Sequence, residues 1–156
     1  MTTLPEIGQT APAFSLPGNG GSTHSSADCA DKIVVLYFYP KADTSGCTKQ
    51  AIGFTEKAEE FAAAGAVVMG VSKDPVPKLD KFVTKHDLGV VLLSDAESDL
   101  CERYGVWVEK SMYGKKYMGI ERSTFLIGPD GTLRQEWRKV KVPGHVDAVL
   151  EAVKAL

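Results

Sequence analysis

Apolar residues in this chain fall into two kinds of run, and their alternation outlines a fold. Ile33-Val34-Val35-Leu36-Tyr37-Phe38-Tyr39 is continuous, β-branched and aromatic, the pattern of a strand covered on both faces. Pro40 stops it. Past a polar turn, Ala51, Phe54, Ala58 and Phe61 recur at helical spacing, and Gly65 supplies a C-terminal stop. Ala66 to Val71 predicts a second buried strand, Leu79, Phe82, Val83 and His86 a short amphipathic helix, and Val90 to Leu93 a third strand. Leu100 and Tyr104 predict another helix, closed by Gly105. Ser123 to Ile127 and Thr132 to Trp137 flank Gly128-Pro129-Asp130-Gly131 and predict a hairpin. Val146, Val149, Leu150 and Val153 predict a closing amphipathic helix. Ser22 to Asp31 is ambiguous and fits one turn of helix before the central strand.

Strands alternating with helices, then a hairpin and a last helix, predict a mixed α/β sheet sandwiched by helices. No repeat or low-complexity linker interrupts the 156 residues, so 1–156 is read as one domain with a substantial core.

Composition narrows the partners. A net charge of -2 gives no cationic surface for nucleic acid, and Lys110, Lys115 and Lys116 read as a solvated loop. No apolar run approaches the roughly 20 residues that cross a bilayer. Met1-Thr2-Thr3-Leu4-Pro5-Glu6 lacks the basic start and apolar core of a secretory signal, so the expectation is a cytoplasmic protein with no membrane partner. Cys29, Cys47 and Cys101 are odd in number and widely spaced, unlike a disulfide framework. With no C-x-x-C pair and no shared spacing among His24, His86 and His145, neither a metal nor an organic cofactor is expected.

The candidate chemistry lies in Pro40-Lys41-Ala42-Asp43-Thr44-Ser45-Gly46-Cys47. Strand, turn, cysteine and helix in that order put a thiol at a helix N-terminus, where the backbone favours a thiolate. The polar neighbours Thr44, Ser45, Gly46 and Thr48 argue against a cysteine that only fills a core. Cys101 sits next to Leu100 and one turn before Tyr104 on an apolar helical face and reads as a packing residue. A cysteine phosphatase would need an arginine within the loop after the cysteine, and Thr48-Lys49-Gln50-Ala51-Ile52-Gly53 has none.

Pro40, Thr44 and Cys47 fit the P-x-x-x-T-x-x-C pattern of the peroxiredoxins, enzymes of thioredoxin-like fold that reduce hydroperoxides. Tyr37-Phe38-Tyr39-Pro40-Lys41, Gly46-Cys47-Thr48, Gly8-Gln9-Thr10-Ala11-Pro12-Ala13-Phe14, Tyr104-Gly105-Val106-Trp107 and Arg122-Ser123-Thr124-Phe125-Leu126-Ile127 resemble the bacterioferritin-comigratory, or Q-type, branch. The resemblance runs in consistent order along nearly the whole chain. It implies that Cys47 is the peroxidatic cysteine, Thr44 the hydroxyl that contacts peroxide, Pro40 the residue that shields the thiolate and Arg122 the active-site arginine. Gln50 falls where the family often places a residue supporting that arginine, and Cys29, after Ala27-Asp28, falls where the family usually has an apolar side chain, which implies core packing there. The implied partners are a hydroperoxide and thioredoxin, or glutaredoxin with glutathione, as reductant; relatives are often monomeric, so a monomer or weak dimer is expected.

These residue types suit the reaction. Sulfur attacks one peroxide oxygen and expels the other, which requires an ionised nucleophile, an in-line substrate and donors for the leaving oxygen. A threonine hydroxyl both donates and accepts, and arginine presents a rigid charged fork. The chain departs from many Q-type relatives in its resolving cysteine. Ile52 stands where many carry it, and the helix of Phe82 and Val83 holds none. The expectation is therefore a one-cysteine cycle resolved by an external thiol. Two alternatives stay open: a redox sensor or holdase with little turnover, and a two-cysteine cycle with Cys101 as an atypical resolver.

Overall fold

The computed structural model describes residues 5–156. A short antiparallel hairpin of β1 (Ser15–Pro17) and β2 (Thr23–Ser25) leads into a 3-10 turn, Ser26–Cys29, closed by a reciprocal cap between Ser25 and Asp28. Then come β3 (Ile33–Phe38), α1 (Ser45–Glu56), α2 (Ala58–Ala63), β4 (Ala66–Ser72) and α3 (Val76–His86). β5 (Val91–Ser94), α4 (Leu100–Arg103), β6 (Trp107–Met112) and β7 (Lys115–Ile120) follow, and β8 (Ser123–Ile127), β9 (Leu133–Trp137) and α5 (His145–Lys154) complete the order.

The main sheet runs β5-β4-β3-β8-β9. β3, β4 and β5 are parallel, while β8 lies antiparallel to β3 and β9 antiparallel to β8, so the sheet is mixed as expected. β3 is central and buried at every position, which explains its unbroken apolar text. Its alternate residues serve two cores. Val35, Tyr37 and the following Tyr39 pack with α1, α2, α3 and α5; Val34, Leu36 and Phe38 pack with α4, Phe14, Leu16 and Val106. Helices therefore cover both faces, although the second is covered by one short helix together with the N-terminal hairpin.

The structure corrects three details of the sequence reading. The helix expected from Cys47 to Gly65 is two helices, α1 and α2, separated at Lys57 (φ -101°, ψ 6°). Thr55, two residues earlier, turns its hydroxyl back to the Ala51 carbonyl (2.8 Å), a contact that bends helices. Ser22 to Asp31 supplies β2 as well as the single helical turn. Lys110, Lys115 and Lys116 lie on the β6–β7 ribbon, not in a loop. That ribbon turns at Tyr113 (φ 52°) and Gly114 (φ 78°), the two left-handed positions that a tight hairpin needs. Met112, Tyr113, Tyr117 and Met118 are exposed, so no alternation toward a core marked these strands in the sequence.

The two cores also divide the cysteines. Cys47 belongs to the first, whereas Cys101 is fully buried in the second and Cys29 packs half-buried against it. Burial, followed by the nearby Asp95 carboxylate, pushes the Cys101 thiol strongly upward. Cys101 is thus a packing residue as expected, and Cys29 is only partly one, since it also lines a cavity of about 290 Å³ behind the N-terminal hairpin.

Gly70 of β4 is where the first core is tightest. A Cβ there would lie 2.6 Å from the Tyr37 ring and 2.7 Å from its hydroxyl oxygen, and Tyr37 is wedged against Phe54 with ring centroids 4.7 Å apart. Gly70→Ala should destabilise the fold by about 1–3 kcal/mol, measured as a lower urea midpoint at unchanged slope.

α5 is tied to β8 by a buried bond between His145 Nε2 and Thr124 Oγ1 (2.8 Å). Burial, and then the Arg122 guanidinium, hold this imidazole down at about 4, so the folded ring is neutral. Between about pH 4 and 6.5 the unfolded chain binds a proton here that the folded one refuses, so stability at this site rises with pH across that window. Lowering the pH from 7 to 5 should cost the wild type more stability than His145→Gln, as read from urea unfolding at both pH values. Equal losses would contradict the assignment.

Candidate active site

β3 delivers the chain to the edge of the first core, and Pro40, half-buried, ends it. Tyr39 still donates to the Val71 carbonyl (3.1 Å), and the turn then crosses to α1 with Asp43 in the left-handed region (φ 63°). Two carboxylates hold that turn. Asp74, buried at the end of β4, accepts from the Ala42 N–H (2.7 Å) and the Ser72 hydroxyl (2.8 Å). Asp43 reaches α3, where it accepts from Lys85 Nζ and meets His86 Nε2, both at 2.8 Å. Those bonds hold the Asp43 carboxyl below the usual carboxylate range. Neither aspartate was singled out in the sequence; a lone carboxylate after a strand or in a turn is too common to signal such a tie.

α1 begins at Ser45, so Cys47 lies in its first turn, among backbone N–H groups without an intrahelical acceptor. Thr44 occupies the N-cap position, but its hydroxyl donates to the Lys41 carbonyl (2.8 Å) and makes no capping bond. The Cys47 side chain is only 2% exposed.

Arg122 is the residue before β8, the strand next to β3. The β3–β8 register pairs Phe38 with Ser123, so the residue before Ser123 lies just past the end of β3, beside the turn. Its carbonyl accepts from the Val140 N–H (2.9 Å), which steadies the backbone there. One arm of its guanidinium, Nη2, donates to Cys47 Sγ (3.3 Å), and the other, Nη1, donates to Gln50 Oε1 (2.7 Å). Gln50 is fully buried one helical turn past the cysteine, so a neutral amide fixes the guanidinium without cancelling its charge. Gly46 completes the fit: a Cβ at that position would stand 3.1 Å from Arg122 Nη2.

Cys47, Arg122 and Gln50 are therefore in direct contact, with Pro40 and Thr44 on the same turn and Cys101 in the other core. A further cation is Lys110, which the sequence reading treated only as part of a solvated loop. Its stem runs beside Gly119, where a Cβ would lie 3.2 Å from Lys110 Cδ, and burial followed by the Arg122 charge lowers the lysine below its ordinary range. The histidines serve the fold: His86 binds Asp43, His145 binds Thr124, and no metal-binding group of His, Cys, Asp or Glu occurs among the described residues. No helix among the described residues is long and apolar enough to cross a membrane.

Chemically, a buried sulfur faces a helix terminus and a guanidinium that can stabilise negative charge both on sulfur and on an oxygen leaving from its reaction partner. Comparison with known proteins points the same way. The AhpC/TSA family matches residues 7–136. A putative peroxiredoxin bcp of Coxiella burnetii is 50% identical over 145 residues, covering 93% of this chain and 96% of that protein. Peroxiredoxin Bcp of Bacillus subtilis is 50% identical over 149 residues, covering 96% and 95%. Among solved structures, a cysteine-to-serine mutant of Xylella fastidiosa PrxQ superposes with a TM-score of 0.93 at 38% identity, covering 98% of both chains. The bacterioferritin comigratory protein of Xanthomonas campestris, studied for its alkyl peroxide reduction, gives 0.89 at 44% identity over 96% of this chain and 98% of that one. Extent and identity together place this chain in the AhpC/TSA family, as a thiol-dependent peroxidase of the bacterioferritin-comigratory, Q-type peroxiredoxin branch with a thioredoxin-like fold.

Proposed function

We propose that Cys47 is the residue oxidised by hydrogen peroxide and small organic hydroperoxides, and that an external thiol returns it to the reduced state. The observation that carries this reading is the 3.3 Å contact from Arg122 Nη2 to the Cys47 sulfur at the first turn of α1. The sulfur attacks the nearer peroxide oxygen; an S–O bond forms, the O–O bond breaks, and the farther oxygen departs with the electron pair as hydroxide or alkoxide. Cys47 is left as a sulfenic acid. Arg122 stabilises the charge that moves onto the departing oxygen, and Gln50 holds Arg122 in register. The Thr44 hydroxyl, now on the Lys41 carbonyl, orients the substrate by exchanging that partner for a peroxide oxygen, and Pro40 screens the sulfur from water. The alkyl peroxide reduction named for the Xanthomonas campestris relative supports organic hydroperoxides as substrates.

External resolution is supported by the placement of the other thiols. The central sheet lies between Cys47 and Cys101, and Cys29 packs on the Cys101 side. The positions where Q-type relatives carry a resolving cysteine hold Ile52 and, in α3, Phe82 and Val83. We assign the reductant role to thioredoxin, or to glutaredoxin with glutathione, and the whole of 1–156 to one cytoplasmic domain acting as a monomer or weak dimer.

In a steady-state peroxide assay with each candidate reductant, Cys47→Ser should abolish turnover, whereas Cys29→Ser and Cys101→Ser keep most of it. A single burst without turnover would favour the sensor. Arg122→Ala should slow oxidation of Cys47 about 10²- to 10³-fold, the usual cost of losing one charge-stabilising donor. A sulfenate with no internal partner waits longer, so peroxide titration should readily add two and three oxygens to the intact mass. A stable loss of two hydrogens with no oxygen added would mean an internal disulfide and sink the one-cysteine cycle.

A further inference from the structure

The turn that carries Cys47 borders a hollow of about 610 Å³ that the peroxide step does not use. Pro75, Pro77 and Phe82 give it an apolar side; Lys78, Lys81 and Lys85 give it a cationic one, with Asp43 at its edge. The three lysines follow helical spacing along α3 and share one face. Lys78 is 3.4 Å from Asp74 and Lys85 is 2.8 Å from Asp43, but Lys81 has no carboxylate within 4.0 Å among the described residues. With Lys78 on Asp74 and Lys85 on Asp43, Lys81 is the excess positive charge beside an apolar floor. A volume of this size falls in the range of small-molecule sites, about 300–1,000 Å³, and suits a small anion better than the face of a protein.

Asp43 displays how the site recognises its ligand. Its carboxylate is already seated on Lys85 and His86, and it stands four residues before Cys47. Even fully extended, four residues span at most about 14 Å, so the Asp43 edge of the hollow lies within that reach of the Cys47 backbone. A ligand carboxylate that takes the place of Asp43 on Lys85 and His86 therefore frees the turn from α3 while anchoring the ligand beside it.

We propose that this hollow binds a low-molecular-weight thiol bearing carboxylates, and that this thiol reduces oxidised Cys47. The proposal rests on the reading of Cys47 as the peroxide-oxidised residue with no internal resolver. The thiol sulfur attacks the sulfenic sulfur; an S–S bond forms, the S–O bond breaks, and the oxygen leaves as water with the thiol's proton. A second molecule of the thiol then attacks the mixed disulfide, returning Cys47 as a thiol and leaving as the oxidised dimer of the small thiol.

The test uses glutathione, with two carboxylates against one ammonium, and neutral mercaptoethanol. Full-length enzyme oxidised by one equivalent of hydrogen peroxide is mixed with each thiol, and recovery of free Cys47 is followed by rapid quench and intact mass. At low salt Lys81→Glu should slow recovery by glutathione about five- to tenfold, with Lys81→Gln in between, and added salt should shrink the difference. Recovery by mercaptoethanol and oxidation by peroxide should stay within about twofold, because neither reaction involves an anionic thiol at α3. Equal rates for wild type and Lys81→Glu with glutathione, or equal losses with both thiols, would overturn the site while leaving Cys47 chemistry intact. Reduction by thioredoxin alone would overturn it too. An oxidised enzyme found as an internal disulfide would instead remove the one-cysteine reading beneath it.

Discussion

One contact organises the rest of the site: a guanidinium on the sulfur of a cysteine 75 residues earlier in the chain. It depends on several independent features at once. The antiparallel pairing of Phe38 with Ser123 brings Arg122 to the end of β3, and Pro40 ends that strand so that the chain can turn toward α1. Gly46 leaves room for the guanidinium, and Gln50 occupies its second arm. Arginine meets these demands because its planar fork binds two partners at fixed geometry; a lysine could place charge near the sulfur but would not be locked by the amide.

The central sheet imposes a second constraint. Successive residues of β3 point to opposite cores, so what packs with Tyr37 and Tyr39 is separated by backbone from what packs with Leu36 and Phe38. Cys47 and Cys101 fall on opposite sides of that partition. The same partition buries Cys101 in the second core, with burial and Asp95 both opposing its ionisation. The Cys47–Arg122 contact lies on one side of the sheet, at the end of β3 where the chain leaves it.

A buried sulfur must also become reachable, and the ties on its turn are unequal in kind. Asp74 is itself buried and holds Ala42 through the backbone, a bond that is costly to leave unmade. Asp43 is exposed and holds α3 through two side chains, and exposed ion pairs are weak because solvent screens them. The turn is thus pinned firmly on its strand side and lightly on its α3 side. Solvent and charged solutes compete directly for the light pin, next to the lysine-lined hollow.

Elements whose burial leaves a periodic trace can be read from the order of residues. β3 is legible because both of its faces are covered, α3 and α5 because one face is, and the β8–β9 hairpin because Gly128-Pro129-Asp130-Gly131 can do little but turn. Cys47 was legible from local order alone, since strand, turn and helix put any residue there at a helix N-terminus. Arg122 and Gln50 were legible only through family resemblance, because nothing near either residue in the chain shows that they meet. The β6–β7 ribbon left no trace because most of its side chains face water and only its base, Trp107 and Ile120, reaches the core. Tertiary structure alone decided which core each cysteine occupies, where the Arg122 fork ends, and that Asp43 and Asp74 hold the turn. The physical reason is range: periodicity and turn chemistry act over a few residues, whereas strand register and carboxylate pairing join residues that only the folded sheet brings side by side.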